Sequence, residues 1–225
     1  MTSLSFRVRE LWIDAKAVAA VEFAIVLPFM LLLYVGGFEL SRAMAINVKV
    51  TATSHSVADM VSQNTQVSVA RMQTILGASA AIMAPYPTTD SSGNSLVTVT
   101  VSEVSTDANG NATVQWSQSY NGSSFGAGRT VGQPMTLPAS IAGSSTSGNP
   151  NNNISFILGE VSYAYTPSLG YAISGTVTLQ DSYYLFPRCS TDSPANSSGP
   201  AYYDVKYTSS TTTCTCIQHL QQKTC

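Results

Sequence analysis

The sequence contains few charged residues and almost no histidine. Asp, Glu, Lys and Arg make up 10% of the 225 residues, and the formal net charge is −2. Because there is no excess of basic residues to neutralise phosphates, the composition argues against nucleic acid as a partner. The two histidines, His55 and His219, are far apart, and the sequence has no H-E-x-x-H or phosphate-binding glycine motif. We therefore predict neither an enzyme nor a cofactor.

The cysteines are confined to the C-terminal end of the chain. There are four of them, all within the last 37 residues: Cys189, Cys214, Cys216 and Cys225. Outside the cytoplasm, such a set predicts two disulfides that staple a segment too polar to build its own core. Three pairings are possible, and Cys214–Cys216 is disfavoured because only one residue separates the two thiols. A zinc site formed by Cys214, Cys216 and His219 is a weaker alternative, since zinc prefers four closely spaced ligands.

One long apolar run stands near the N-terminus. Val18 to Phe38 contains a single charged residue, Glu22. As a helix, this run would span roughly 30 Å, the thickness of a hydrocarbon core. The basic residues before it (Arg7, Arg9 and Lys16) outnumber those just after it. The sequence therefore predicts a single-pass anchor with a cytoplasmic N-terminal arm and an exported remainder.

A cleavable signal peptide is an alternative interpretation of this run. Ala43-Met44-Ala45 supplies a small-x-small cleavage pattern. However, the run is too long for a typical signal peptide, and the charged Glu39 and Arg42 lie directly before the cut. We therefore favour the permanent or pilin-type anchor.

Glu22 has two possible roles. An acidic side chain costs something like 2–3 kcal/mol at depth in a bilayer, and less near the interface. Its carboxylate can reach back to the cytoplasmic headgroups, or it can meet a positive charge within an assembly. The residues alone leave both roles open.

The run from Ala17 to Pro28, AVAAVEFAIVLP, resembles the N-terminus of the TadE/TadG-like family, the minor pilins or pseudopilins of the Tad (Flp) pilus machinery. In that family a basic arm precedes a small residue at the processing site, and Glu-Phe or Glu-Tyr and an apolar, proline-containing helix follow. The resemblance implies that a prepilin peptidase cuts between Ala17 and Val18, and that Pro28 kinks the transmembrane helix. Family members usually have glycine where this chain has Ala17. The runs 160–167 (EVSYAYTP) and 183–188 (YYLFPR) also look like later signatures of the family.

The resemblance implies a structural or assembly subunit of a Tad pilus, acting in pilus biogenesis and adherence. Its expected location is the bacterial inner membrane, with a periplasmic C-terminal domain. The expected partners are other pilin or pseudopilin subunits, the Tad assembly machinery and the prepilin peptidase. By analogy with type IV pilins, Glu22 would neutralise the new amine on Val18 of a neighbouring subunit. An uncleaved assembly factor of the same system and an exported binding protein with an N-terminal anchor are the alternatives.

Beyond the anchor, helical periodicity gives way to strand periodicity. An apolar stripe continues along a helix as Ile46, Val50, Val57, Met60 and Val67, and it could pack on the protein's own domain or on neighbours. A second helix is predicted over 67–84, and Pro85 and Pro87 end it. Strands are predicted over 96–101, 112–120, 156–166 and 176–186, and a mobile loop rich in Gly, Ser and Asn over most of 121–153. The turn 107–111, with its Asn-Gly pair, is predicted as a plain hairpin turn rather than a calcium loop.

These elements predict an α+β fold with a long N-terminal helix that continues outside the membrane, a shorter second helix, an antiparallel sheet of about four strands and a disulfide-stapled tail. The expected segments are an N-terminal arm (1–17), a transmembrane helix (18–38), an exported helical stalk (39–84), a sheet domain (85–188) with a long loop (121–153), and a Cys-containing tail (189–225).

Overall fold

The computed structural model describes residues 15–146, 148–167, 175–188, 190–191, 205–207, 214–218 and 221–224. Within these residues, the helices are α1 (Ala15–Ser62) and α2 (Val69–Met83). The strands are β1 (Gln66–Val67), β2 (Val97–Thr106), β3 (Ala112–Tyr120), β4 (Phe125–Ala127), β5 (Pro134–Met135), β6 (Ser155–Tyr165), β7 (Val177–Leu185), β8 (Ser190–Thr191), β9 (Lys206–Tyr207), β10 (Cys214–Gln218) and β11 (Gln221–Thr224).

The chain divides into two compact units. The first comprises Met1–Ala45 and Thr166–Val177, and its main described element is the N-terminal part of α1. The second comprises Ile46–Tyr165 and Thr178–Cys225, and it contains the rest of α1, α2 and the sheets.

The helices of the second unit form as their sequences predict. α1 ends at Ser62, where Gln63-Asn64-Thr65 interrupts the apolar pattern. The Ser68 hydroxyl caps α2 by accepting a 3.2 Å hydrogen bond from the backbone N–H of Arg71, which satisfies a donor left free at the helix start. Of the predicted stripe, Ile46, Val50, Val57 and Val67 are buried within this unit. The stripe therefore packs on the protein's own domain, the first of the two possibilities left open by the sequence.

The main sheet contains the four predicted strands in the order β3-β2-β6-β7, and all its described pairings are antiparallel. β4 and β5 both pair with β3, so the sheet has six strands rather than about four. The α+β class, the long apolar helix and the second helix are confirmed. The two extra strands were missed because each has only two or three residues, too few to show a period of two.

The two faces of the main sheet differ in what covers them. The helix face, which packs against α1 and α2, carries the buried Val97, Val99, Val101, Val161 and Tyr163. We call the opposite side the open face. A bulge in β3 lies opposite the step from Glu103 to Val104 and shifts the register by one residue. Because a shift of one residue exchanges the faces, the first residues of β3, on the N-terminal side of the bulge, direct their apolar side chains to the open face.

The segment 121–153, predicted as a mobile loop, packs against one end of the open face. Met135, Leu137, Ile141 and Ala142 join a cluster with Phe156 and Leu158 from β6. Asn152 ties the segment together: its side-chain amide donates to the carbonyls of Ala108 (2.9 Å) and Ser144 (2.7 Å). The sequence did not predict these contacts, because apolar residues scattered among Gly, Ser and Asn show no periodicity.

The tail also contains backbone structure that the sequence did not indicate. β9 pairs in parallel with β1, and β10 lies between β8 and β11 in a separate antiparallel sheet. Val205 is fully buried, and its backbone N–H donates 2.9 Å to the Glu103 carboxylate while its carbonyl accepts 2.6 Å from the Trp116 indole. The domain therefore holds this part of the tail by contacts other than cysteine.

Two turns share one hydrogen-bonding pattern. Asp90 and Asp107 each accept, at 2.8 Å on one carboxylate oxygen, the backbone N–H groups two and four residues later. In each turn the asparagine four residues on donates its side-chain amide to the other oxygen at 2.9 Å. The glycine before each asparagine has φ of +82°, a conformation that glycine adopts without strain. The turn 107–111 closes the hairpin between β2 and β3, and its carboxylate accepts hydrogen bonds from its own loop.

These turns predict an acid-sensitive contribution to stability. The side-chain amides of Asn94 and Asn111 are the main cause that lowers the pKa of Asp90 and Asp107, respectively, below the usual value of 3.8. A depressed pKa stabilises the fold above the unfolded-state value, and that stabilisation is lost as pH falls through the folded-state value. We expect Asp107→Asn to lower the Tm at pH 6 by about 1–2 °C, since the site is exposed. The difference should shrink as the pH falls below the unfolded-state value of 3.8, in thermal melts of the detergent-solubilised protein. A difference that persists unchanged at pH 3 would contradict this assignment.

Candidate functional site

The N-terminal part of α1 presents apolar side chains on all its sides. Every side chain from Val18 to Tyr34 is exposed, and Leu33 and Tyr34 retain 72% and 75% of their accessible surface. By length and composition this is a helix able to cross a membrane, with a mean hydropathy of 2.4 in its most apolar window. Among the described residues it is the one helix that meets this criterion. An exposed surface this apolar requires lipid or other helices around it.

The residues predicted to matter in this region lie on the same helix. The Ala17–Val18 bond falls in the first turn of α1, which begins at Ala15. Glu22 is exposed and follows Val18 by four residues, which places it one turn later on the same helix face, about 6 Å along the axis. Pro28 lies inside the helix. The structure therefore places these residues on one continuous helix.

A second carboxylate on α1 was not singled out from the sequence for a role of its own. Glu39 is 1% exposed, whereas its neighbours Phe38 and Leu40 are 53% and 54% exposed. Burying a carboxylate costs free energy unless polar groups hydrogen-bond to it, so the fold constrains which residue can stand at this position. The sequence did not indicate that Glu39 is buried, because a glutamate next to an apolar run is usually a solvated boundary residue.

The C-terminal part of α1 is held against the sheet by several side chains of β7 and its continuation. The Ser54 hydroxyl donates 3.1 Å to Asp181, and the ring of His55 stacks on Tyr183 with centroids 3.7 Å apart. Arg188 donates 2.5 Å to Asp59 through its side chain and 3.0 Å to the Ser62 carbonyl through its backbone. We call these contacts the helix clasp.

Residues 17–59 match the family model described as TadE-like protein. The anchor segment of this chain is TadE-like. The match confirms the resemblance inferred from Ala17 to Pro28 and extends it to Asp59, which forms an ion pair with Arg188. No curated protein and no solved structure matches the chain. The family association and the apolar helix together indicate a single-pass, membrane-associated component of a Tad pilus system.

The helix clasp joins the TadE-like segment to the run 183–188, which the sequence also likened to the family. Tyr183 and Arg188 belong to that run, and both contact α1. Since Arg188 and Asp59 are 59% and 41% exposed, their ion pair adds little to stability by itself. The run therefore matters mainly for its position, because it brings the end of β7 next to the end of α1.

The other run likened to the family, 160–167, lies in β6 and its continuation. Its tyrosines Tyr163 and Tyr165 are buried on the helix face, so they belong to the core. Glu160 points to the open face, where Arg129 holds it with hydrogen bonds of 2.7 and 2.6 Å from two guanidinium nitrogens. This hydrogen-bonded pairing with Glu160 raises the pKa of Arg129. Arg129 was missed from the sequence because it lies in the segment 121–153.

The cysteines of the predicted disulfides lie at the edge of what the structure describes. Cys189 and Cys225 lie outside the described residues, and only the backbone of Cys214 and Cys216 is described, in β10. His219 of the alternative zinc site also lies outside them. Within the described part of the chain there is no group of three or more His, Cys, Asp or Glu side chains that could hold a metal.

Close contact between Gly159 and α1 gives a test of the helix–sheet packing. A Cβ atom at Gly159 would lie 2.6 Å from the Ser54 carbonyl and 3.1 Å from the Ala58 Cβ. We expect Gly159→Ala to push α1 away and destabilise the protein by ~1–3 kcal/mol, a fall in Tm of several degrees. The measurement is a thermal melt in detergent.

Gly126→Ala is the matched control. It also adds one methyl group to a strand glycine, but a Cβ atom there meets nothing within 4 Å. We expect its stability to stay within ~0.5 kcal/mol of the wild type. Equal melting temperatures for the two variants would show that the contact between β6 and α1 is not tight.

Proposed function

We propose that this protein is a TadE/TadG-like pseudopilin or minor pilin, a structural and assembly subunit of a Tad (Flp) pilus. The observation that carries the proposal is the family match over 17–59, which begins at the proposed cleavage site and covers the whole exposed apolar helix. We place its N-terminal arm in the cytoplasm because basic residues are concentrated before the apolar run. The second unit would then lie in the periplasm or on the pilus.

We assign Glu22 a role in the assembly of subunits. The side chains around it on α1 are apolar and exposed, so a membrane or a helix bundle would surround it with a medium of low dielectric constant. Cleavage after Ala17 would leave a cationic amine on Val18, and each charge alone is costly in such a medium. Pairing the carboxylate of one subunit with the amine of its neighbour would remove both costs and fix the register between subunits.

The same geometry allows a competing pairing within one chain. Glu22 lies one turn from Val18 on the same face, and a carboxylate in the first turns of a helix also interacts favourably with the positive end of the helix dipole. Assembly would exchange this local partner for the neighbour's amine. The exchange costs less than burying a free carboxylate, which supports Glu22 as a residue that serves both the free and the assembled subunit.

An uncleaved anchor of the same system is the second candidate. Two observations favour it: Ala17 stands where family members usually have glycine, and the Ala17–Val18 bond lies within the first helical turn. A peptidase needs an accessible, extended bond, so this turn must unwind before cleavage. In this second role the protein would bind other assembly components through its sheet unit, and Glu22 would lack an amine to pair with.

The N-terminal residue of the protein purified from its own membranes separates these candidates. We expect intact-mass measurement and N-terminal sequencing to find a chain beginning at Val18. Ala17→Leu should abolish this product because the peptidase needs a small residue at that position, whereas Ala17→Gly should retain it. A wild-type chain beginning at Met1 would favour the uncleaved anchor, and one beginning at Ile46 would indicate a signal peptide.

Assembly of Glu22 variants tests the charge pairing. We expect Glu22→Ala to insert normally into membranes but to fall at least ~10-fold in sheared pili, since loss of one buried charge partner costs several kcal/mol. Glu22→Asp should restore part of the assembly. Val26→Ala is the control, because it truncates a neighbouring side chain one turn later without changing charge. Normal incorporation of Glu22→Ala into pili would refute the proposed role.

A further inference from the structure

One half of the open face is polar and forms a groove. Its cavity of about 620 Å³ is within the size range of small-ligand pockets. The floor comes from side chains that alternate with buried residues in β2 and β6 and with half-buried residues in β7, namely Thr98, Thr100, Ser162, Gln180 and Ser182. Exposure of a polar sheet face is ordinary in antiparallel sheets. The wall at its side is what makes this face a candidate site.

That wall is the segment 127–129, which lies directly on the sheet. A Cβ atom at Gly128 would come within 2.4 Å of the Ser117 hydroxyl and 2.7 Å of the Thr100 methyl, so a larger residue there would force these side chains to move. The backbone N–H of Arg129 donates 2.8 Å to the Ser117 hydroxyl on β3. From there its side chain crosses β2 to reach Glu160 on β6. The wall is therefore built from short, fixed contacts.

Charge in the groove is balanced. Arg129 and Glu160 neutralise each other through two parallel hydrogen bonds. Asp181 also borders the groove, but its carboxylate accepts the Ser54 hydroxyl on the helix face. The remaining polar lining is hydroxyl and amide. A phosphate or another anion would thus meet no net positive charge, and Arg129 already occupies both oxygens of Glu160, the carboxylate that faces the groove.

The groove also lacks what apolar ligands and peptides need. Thr100 and Ser119 already hydrogen-bond to each other at 3.1 Å, but an apolar ligand would offer no hydrogen bonds to the other hydroxyl and amide groups it covers, at a cost of roughly 1–3 kcal/mol for each group. Extended peptides usually bind by adding a strand to a sheet edge, and they place side chains in pockets. This groove lies on a sheet face, so strand pairing is not available there. A neutral ligand with many hydroxyl groups remains, because it can donate hydrogen bonds to, and accept them from, the hydroxyl and amide side chains of the lining.

We infer that this groove binds a neutral oligosaccharide, with Thr98 and Gln180 on its floor and the Arg129–Glu160 pair along its wall. Arg129 uses two of its five N–H donors on Glu160, which leaves donors that can reach sugar hydroxyls. The inference adds a ligand to the protein and does not depend on the proposed role in a pilus.

Binding is best measured on the full-length protein in a detergent without a sugar headgroup, since glucosides and maltosides would compete. The probes are cellotetraose, maltotetraose and chitotetraose, with tetragalacturonate as an anionic probe and a Gly-Ser tetrapeptide as a polar peptide. We expect saturable binding of at least one neutral tetrasaccharide with a Kd of about 1 mM or tighter by calorimetry or ligand-observed NMR. The affinity should be insensitive to salt, because the ligand has no charge to screen.

The double substitution Thr98→Ala with Gln180→Ala should weaken that binding at least ~10-fold, which corresponds to 1.4 kcal/mol. Both side chains are exposed, so the melting temperature should not change. Thr178→Ala is the matched control: it is exposed on the same face of β7 but outside the groove lining, and it should bind like the wild type. Absence of binding to all three neutral probes, preference for the anion or the peptide, or equal binding by the double variant would overturn the inference.

Discussion

Close packing of α1 on β6 is the contact around which the second unit is organised. Gly159 has no side chain, so the backbone of the strand approaches the Ser54 carbonyl and Ala58 directly. This approach buries Val50, Val57 and Val61 of the helix and fixes which face of the sheet is apolar. Because side chains alternate along a strand, fixing one face also fixes the other. The side chains of the open face therefore take no part in the core between the sheet and the helices.

Elements with a clear period were predictable. The four long strands, both helices and the end of α1 near residue 62 follow from alternation, helical spacing and turn residues in the sequence. β4, β5 and the bulge in β3 were not predictable, because a two- or three-residue strand or a single extra residue leaves no periodic signal. The burial of Val205 depends on Glu103 and Trp116, about 100 and 90 residues earlier, and no local pattern encodes such a contact.

The candidate sites differ in the same way: one follows from a local sequence pattern and the other does not. Ala17, Val18 and Glu22 form a linear motif, and the family match confirms the resemblance of the segment that contains them. The groove is different, because Arg129, Thr98, Glu160 and Gln180 come from four separate segments. Each is an ordinary surface residue in the sequence, and only the sheet order β3-β2-β6-β7 brings them together.

The scarcity of charge links these observations. With 22 acidic and basic residues in 225, counted as 12 and 10, the chain cannot rely on charged surfaces for specificity. The described ion pairs, Arg129–Glu160 and Arg188–Asp59, each tie together elements distant in sequence. Glu22 is the one charged residue in an apolar run whose exposed helix needs lipid or other helices around it. A charge placed in such a run has a strong effect on assembly because so little else there can distinguish one register from another, whereas on the open face neutrality leaves hydroxyl and amide geometry to select the ligand.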